Sequence, residues 1–438
     1  MKSYPEYEQS GIEWLGEVPA HWSLRKLKYA VTLTKEDAEE RHEDFQIALE
    51  NIESWTGQFI ETDSDYRGSG DAFEKGDILF NKLRPYLAKV YHAKRAGTPV
   101  GELLVLRPET DMLSRFLFYR LLSAEFIDVV DGSTYGAKMP RASWDFIGDL
   151  SIPIPPLPEQ RTIAAYLDRK TAQIDTLIAK KQRLIDLLQE QRTAIINRAV
   201  TQGLVPDVPM QDSDIEWLGE VPAHWGTGKL RYVTDLIQTG PFGSQLHASD
   251  YIENGLPVIN PSNLVDGNIE PDWQKTIDDE IADRLSRHRL SKGDIVFARR
   301  GEMGRCALVS SDEEEWLCGT GSIKVELQKE SVDPKYMSVV LSTVGVSEWL
   351  ELQSVGSTMS NLNTDILSAI PIPIPPRQEQ EEIVEYISKR SWELDQIIDR
   401  ETKEINFLQE LRTSLISEVV TGKIDVRGEV FESAEVAA

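Results

Sequence analysis

The chain has 438 residues, of which 40% are hydrophobic and 27% charged, with a formal net charge of −26 at neutral pH. That length predicts two or three domains rather than one core. No run approaches the roughly 18 apolar residues of a membrane span, and the opening MKSYPEYEQSGIEW lacks an apolar signal core, so a cytoplasmic protein is expected. Taken alone, the negative sum argues against a nucleic-acid partner, because DNA binding rests on neutralising phosphates with Lys and Arg; what decides is where those cations sit.

The first landmark is IEWLGEVPAHW at 12–22, carrying Trp14, His21 and Trp22. A structural clip packing this segment on its domain fits it better than a catalytic histidine. A Lys-Gly turn then precedes the apolar run Asp77-Ile78-Leu79-Phe80, which predicts a buried strand. Around that strand Lys75, Lys82, Arg84, Lys89, Lys94 and Arg95 stand against Asp77 alone. FLFYRLLSAEFIDVV (116–130) predicts a helix, and GSTYGAKMPRASW (132–144) a polar loop whose Lys138 and Arg141 suit phosphate or guanine. The proline run of IPIPPLPEQ (152–160) predicts a stiff extended lead-in that ends the preceding sheet. Glu159 and Gln160 then open a long helix. Its apolar residues Ile174, Ile178, Ile185, Leu188, Ile195 and Ala199 trace a heptad seam, with Lys181 and Arg192 in two polar slots and Gly203 as the stop.

At 215–225 IEWLGEVPAHW returns unchanged, with Trp217, His224 and Trp225. GPFGSQLHASDY (240–251) adds a loop with an aromatic and a histidine, to which no role is assigned. KGDIVFARRGE (292–302) answers KGDILFNKLRP (75–85) at an offset of 217 residues. From Arg284 to Arg305 the bases Arg284, Arg287, Arg289, Lys292, Arg299, Arg300 and Arg305 stand against Asp294 and Glu302. Cys306 and Cys318 match no zinc spacing and have no histidine cluster beside them, so they read as reduced core thiols. KYMSVVLSTVGVSEWL (335–350) predicts a helix, and GSTMSNLNTD (356–365) a second polar loop, in which Asn361 and Asn363 suit adenine. IPIPPRQEQ (372–380) repeats the lead-in at an offset of 220 residues. The second seam is Leu394, Ile398, Ile405, Leu408, Leu415 and Val419, with Glu401 and Arg412 in its polar slots and Gly422 as the stop.

The chain is therefore a tandem repeat of a unit of about 210 residues, the landmarks falling in one order in both halves. The matched seams predict that the two helices pair, and with a long domain between them they can run antiparallel. Two basic islands at corresponding places in an acidic chain point to two DNA contacts. Lys82, Arg84, Lys89, Lys138 and Arg141 are the candidates in the first half, and Arg299, Arg300, Arg305, Asn361 and Asn363 in the second. Catalytic chemistry is missing: there is no G-x-x-x-x-G-K-[ST] phosphate loop, no amino-methyltransferase box and no glycine fingerprint for S-adenosylmethionine. No catalytic residue and no metal ligand is assigned.

The duplicated IEWLGEVPAHW, the KGDI(L/V)F strand, the GEMGR turn at 301–305, the IPIPPLPEQ lead-in and the two helical arms together resemble the specificity subunit of type I restriction–modification enzymes. The resemblance implies an α+β fold with two mixed α/β target-recognition domains separated by two long helices in an antiparallel coiled coil, related by a pseudo-twofold axis. The expected domains are 1–151 and 206–370 for recognition, 152–205 and 371–424 for the lead-ins and helices, and 425–438 for an acidic, disordered tail. The resemblance further implies double-stranded DNA as partner, read as an asymmetric bipartite site. Two adenine-N6 methyltransferase subunits dock on the helices, and two ATP-dependent restriction–translocase subunits join when the complex cuts. This chain itself binds no cofactor; S-adenosylmethionine, ATP and Mg belong to those partners. Two rivals come from other classes: a coiled-coil scaffold that binds no DNA, and a self-contained DNA modification enzyme.

Overall fold

The computed structural model describes residues 2–35, 45–63, 71–136, 138–354 and 362–429. The chain forms two compact units, Met1–Arg183 with Glu401–Ala438, and Leu184–Arg400. The unit boundaries fall in the middle of the two long helices rather than where those helices begin. The reason is that each unit takes the first half of one helix and the second half of the other.

In the first unit, β1 (Ser23–Lys26), β2 (Val31–Leu33), β3 (Ile78–Asn81), β4 (Val90–His92) and β5 (Leu103–Pro108) precede two helices, α1 (Ser114–Leu122) and α2 (Ala124–Gly132), and a last strand, β6 (Ser151–Ile154). The antiparallel sheet has the order β2-β5-β3-β4. Gly76, at φ 97°, makes the expected turn before β3, and the Asp77 carboxylate accepts the Glu74 N–H at 2.8 Å. Every residue of β3 is buried, and the pleat sends alternate ones to opposite faces. Ile78 and Phe80 join Phe116, Leu117 and Phe126 of the helices in one cluster, while Leu79 joins Ile47, Phe73 and Tyr91 in another. A continuous apolar run is what a strand covered on both faces requires.

The second unit repeats this plan with β7 (Gly226–Lys229), β8 (Thr234–Thr239), β9 (Ile295–Ala298), β10 (Cys306–Leu308), β11 (Ser322–Leu327), α3 (Pro334–Leu341), α4 (Val344–Ser354) and β12 (Pro371–Ile374). Its sheet order, β8-β11-β9-β10, is the same. Ile295 and Phe297 face one cluster, Val296 and Ala298 the other. Cys306 and Cys318 are free and buried, their thiols pushed up to about 12 by burial.

Four expectations are corrected. The run 116–130 is two helices, because Ser123 takes an extended backbone (ψ 144°) and its hydroxyl donates to the Arg120 carbonyl. The run 335–350 likewise breaks between Leu341 and Val344, where the Thr343 hydroxyl donates to the Val340 carbonyl. The proline runs do not end a sheet: β6 pairs antiparallel with β1, and β12 with β7. Ile152 and Ile154 are buried in the core, and a two-stranded ladder tolerates prolines at positions whose N–H is not needed. At the C-terminus, Val426 is buried and the Arg427 guanidinium lies 4.7 Å from the Tyr4 ring centre, so Asp425–Glu429 pack on the first unit. The rest of the expected tail lies outside the described residues.

The duplicated segment is a clip. The Glu159 carboxylate accepts from Tyr4 Oη (2.6 Å) and Trp22 Nε1 (3.1 Å) and meets His21 Nε2 (2.8 Å). Glu379 meets His224 Nε2 (2.8 Å) and accepts from Trp225 Nε1 (2.5 Å). Gln160 and Gln380 then tie each helix start to its own domain, accepting the Leu113 and Asp333 N–H groups at 2.7 Å. Gly422, at φ 79°, ends its helix against Pro19 and Trp22, and Gly203, at φ 72°, against Trp225. Each clip thus holds the start of one helix and the end of the other.

The first arm runs Leu157–Gln202 and the second Arg377–Val420. In the first unit Asp175 meets Arg412 (2.9 Å) and Lys181 meets Glu401 (2.7 Å) and Glu404, a pairing in which one number rises as the other falls, hence antiparallel. Ile174, Ile178, Leu408 and Leu415 share its core. In the second unit Arg192 meets Asp395 at 3.0 Å. Ile185, Leu188, Leu394 and Ile405 are buried; Ile195 and Ile398 are half-buried. The polar seam slots are therefore filled by cross-helix ion pairs, which fix register.

Candidate nucleic-acid interface

In the first unit the end of β3 meets the loop before the lead-in. Leu83 and Tyr135 each form a bridge with Arg141, the Ala142 N–H donates to the Lys82 carbonyl (3.0 Å), and the Arg84 N–H donates to the Pro140 carbonyl (2.8 Å). Two sequence candidates far apart in the chain, the basic island and the polar loop, thus form one surface. Lys82 and Arg141 share the Glu102 carboxylate, each at 3.1 Å. Burial pushes that carboxyl up, but the two cations outweigh it and hold the group below its ordinary range. Arg84 and Lys138 are exposed and have no side-chain partner among the described residues. Tyr86, Tyr135 and Met139 are exposed beside them, Tyr135 at 65%. Lys89 turns inward instead, donating to the Leu49 carbonyl at 2.8 Å.

The second unit joins the same two parts. The Leu362 N–H donates to the Arg299 carbonyl (3.0 Å), and the Arg299 N–H to the Gly321 carbonyl (2.9 Å). Arg300 is exposed, whereas Arg299 and Arg305 are half-buried. The GEMGR turn is fixed by Gly301 and Gly304, at φ 90° and 83°, and the Ser347 hydroxyl donates to the Met303 carbonyl at 2.5 Å. Asn363 serves as the cap of helix Thr364–Ser368, its Oδ1 accepting the Ile366 N–H at 2.8 Å. Asn361 lies outside the described residues. Of the other bases in this island, Arg289 is held between Glu315 (2.6 Å) and Asp283 (2.8 Å).

Sequence reasoning missed Glu102, the hub of the first site, because a single Glu in an acidic chain carries no signal. It also missed Lys324, a buried lysine of β11 that donates to the Arg289 carbonyl at 2.9 Å. Among the described residues no group of three or more His, Cys, Asp or Glu side chains could hold a metal ion, and no helix is long and apolar enough to cross a membrane.

The family model for the type I restriction modification DNA specificity domain matches the chain twice, over residues 36–186 and 222–408. The putative MjaX specificity subunit of Methanocaldococcus jannaschii is 24% identical over 443 residues, covering 94% of this chain and 96% of that protein. The EcoKI specificity subunit of Escherichia coli is 25% identical over 331 residues, covering 73% of this chain and 68% of that one. A chain solved in work on complex assembly and conformational transition of the type I R-M system has a TM-score of 0.71 at 17% identity, over 93% of this chain and 99% of its own. The HsdS subunit of Thermoanaerobacter tengcongensis has a TM-score of 0.51 at 17% identity, over 95% and 100%. The structural likenesses establish the shared fold, and the double match over most of the chain establishes the kinship: this chain belongs to the family of type I restriction–modification DNA specificity subunits.

Proposed function

We propose that the chain is the non-catalytic DNA-reading subunit of a cytoplasmic type I complex, each unit reading one half of a split site. The observation that carries this reading is the surface assembled twice from the end of the central strand and the loop before the lead-in, with exposed cations that have no side-chain partner among the described residues: Arg84 and Lys138 in one unit, Arg300 in the other. The arms set the spacing and dock two adenine-N6 methyltransferase subunits. Exposed apolar side chains support that docking: Leu177, Phe407 and Leu411 in the first unit, and Leu187, Trp392 and Ile397 in the second. S-adenosylmethionine, ATP and Mg fall to the partners, including two translocase subunits where the complex cuts. A scaffold without DNA would have no use for paired basic surfaces in so acidic a chain.

The test is DNA binding by the assembled complex. Arg84→Ala with Lys138→Ala should weaken binding and reduce the salt slope by about two phosphate contacts, and Arg300→Ala by about one. Lys89→Ala should leave the slope unchanged, since its amine is spent within the fold. Wild-type affinity and slope in the first two variants would remove these surfaces from DNA.

A further inference from the structure

Loop Gly240–His247 of the second unit holds an aromatic ring in solvent on a rigid support. Both feet are fixed: Pro241 is buried, and Leu246 is packed with Val258, Ile277 and Leu285. A Cβ on Gly240 would fall 1.9 Å from the Gly319 carbonyl, so only glycine passes there. Between the feet Phe242 is 58% exposed. Gln245 closes the tip, its N–H donating to the Phe242 carbonyl (2.8 Å) and its Oε1 accepting the Phe242 N–H (3.1 Å).

The tip is backed by arginines. Arg284 donates to the Gln245 carbonyl at 3.3 Å and Arg287 to its Oε1 at 3.5 Å. The foot of the loop shares a support with the basic strand end: the Gly240 N–H donates to the Ser322 carbonyl (3.0 Å), and the Arg299 N–H to the Gly321 carbonyl (2.9 Å). The Phe242 ring is thus exposed on a loop that Gln245 closes and Arg284 backs, Arg284 also meeting Asp250 at 3.8 Å.

We infer that Phe242 is a DNA-contacting wedge, which stacks on a base of the half-site read by the second unit while the neighbouring arginines take phosphates. A phenyl ring against a base step is a recurring means of unstacking a duplex, and stacking tolerates any base because each has a π-face. The inference rests on the DNA-reading function proposed above and adds a distortion that this subunit itself imposes.

The test uses the full chain assembled with its methyltransferase subunits, and duplexes carrying 2-aminopurine at successive positions of the half-site read by the second unit. The wild type should raise fluorescence at one step. Phe242→Ala should lose that rise and weaken binding about 10- to 100-fold with an unchanged salt slope, since no phosphate contact is removed. Phe242→Trp should keep both. Because Phe242 is exposed, thermal melting of both variants should match the wild type. If Phe242→Ala binds and unstacks like the wild type while Arg300→Ala weakens binding, the wedge is overturned and the DNA reading stands. If Arg300→Ala also binds normally, the DNA reading of this face falls with it. A Phe242→Ala chain that binds DNA normally but loses its methyltransferase subunits would make the ring a protein contact and overturn the wedge.

Discussion

Asp77 and Asp294 occupy the same place before the central strand, and their partners show how one residue changes a site. In the first unit Arg107 grips Asp77 with two hydrogen bonds of 3.0 and 2.9 Å. In the second, the register puts Glu326 where Arg107 would stand. Asp294 lines a cavity of about 540 Å³ with Asp235, Glu326 and Glu330. Burial pushes its carboxyl up to about 6, with Glu326 adding to the effect against the Ser291 N–H and Lys324. A carboxyl whose folded pKa lies above its unfolded value, about 3.9, costs stability once ionised. The cost grows as pH rises from about 4 through 6. Asp294→Asn keeps an acceptor for Ser291 and removes the charge, so it should stabilise the second unit at pH 8 and do so much less at pH 4. Urea melts at both values check this, and an equal effect at the two would show that the charge is not the cause.

At the scale of elements, the arms carry one ion pair twice, in different surroundings. Arg412 is buried (6% exposed), bonds Asp175, and donates to the Trp55 carbonyl at 2.7 Å, so a loop of the recognition domain is strapped to the arm. Arg192, its counterpart 220 residues earlier, is 40% exposed and meets only Asp395 among the described residues. Arg412→Met strands a carboxylate and a carbonyl and should cost about 3 kcal/mol. Arg192→Met should cost under about 1 kcal/mol, the usual worth of an exposed pair. Chemical denaturation of the two variants decides, and equal losses would show that the strap adds nothing. The outer faces of the arms make a different prediction. Leu187 and Phe407 are 44% and 64% exposed, so Leu187→Asp with Phe407→Asp should melt like the wild type yet lose methyltransferase subunits on gel filtration. Retained assembly would place the dock elsewhere.

At the scale of the molecule, the two units share a sheet order but not the surfaces proposed to read DNA. The second adds a three-stranded sheet built on Leu256–Ile259, with Leu317–Cys318 parallel to it, beside the Phe242 loop. At the corresponding edge the described part of the first has only the two-residue ladder of Gln46–Ile47 with Thr98–Pro99. Surfaces so unlike should read different half-sites, so methylome sequencing should return an asymmetric, interrupted motif. A palindromic or continuous motif would contradict the reading.

The sequence by itself determined the duplication, the buried central strands, the long arms and their seams. Each of these is written in local order: a repeated string, an apolar run after Lys-Gly, a heptad step. It also determined the purpose of IEWLGEVPAHW as a clip, because Trp and Pro in water need a surface to cover. Only the tertiary structure decided which residues of that clip meet Glu159 and Glu379, since a carboxylate in a helix's first turn looks alike whether solvated or bonded. It decided that the proline runs are strands, because pairing depends on a partner more than 120 residues away. Above all it sorted the cations. Lys82, Arg84 and Lys89 look equivalent on the page, yet one shares a carboxylate, one has no side-chain partner among the described residues and one donates to the Leu49 carbonyl. Charge is a property of the residue, but availability for a phosphate depends on what the fold has already placed within 3 Å of it.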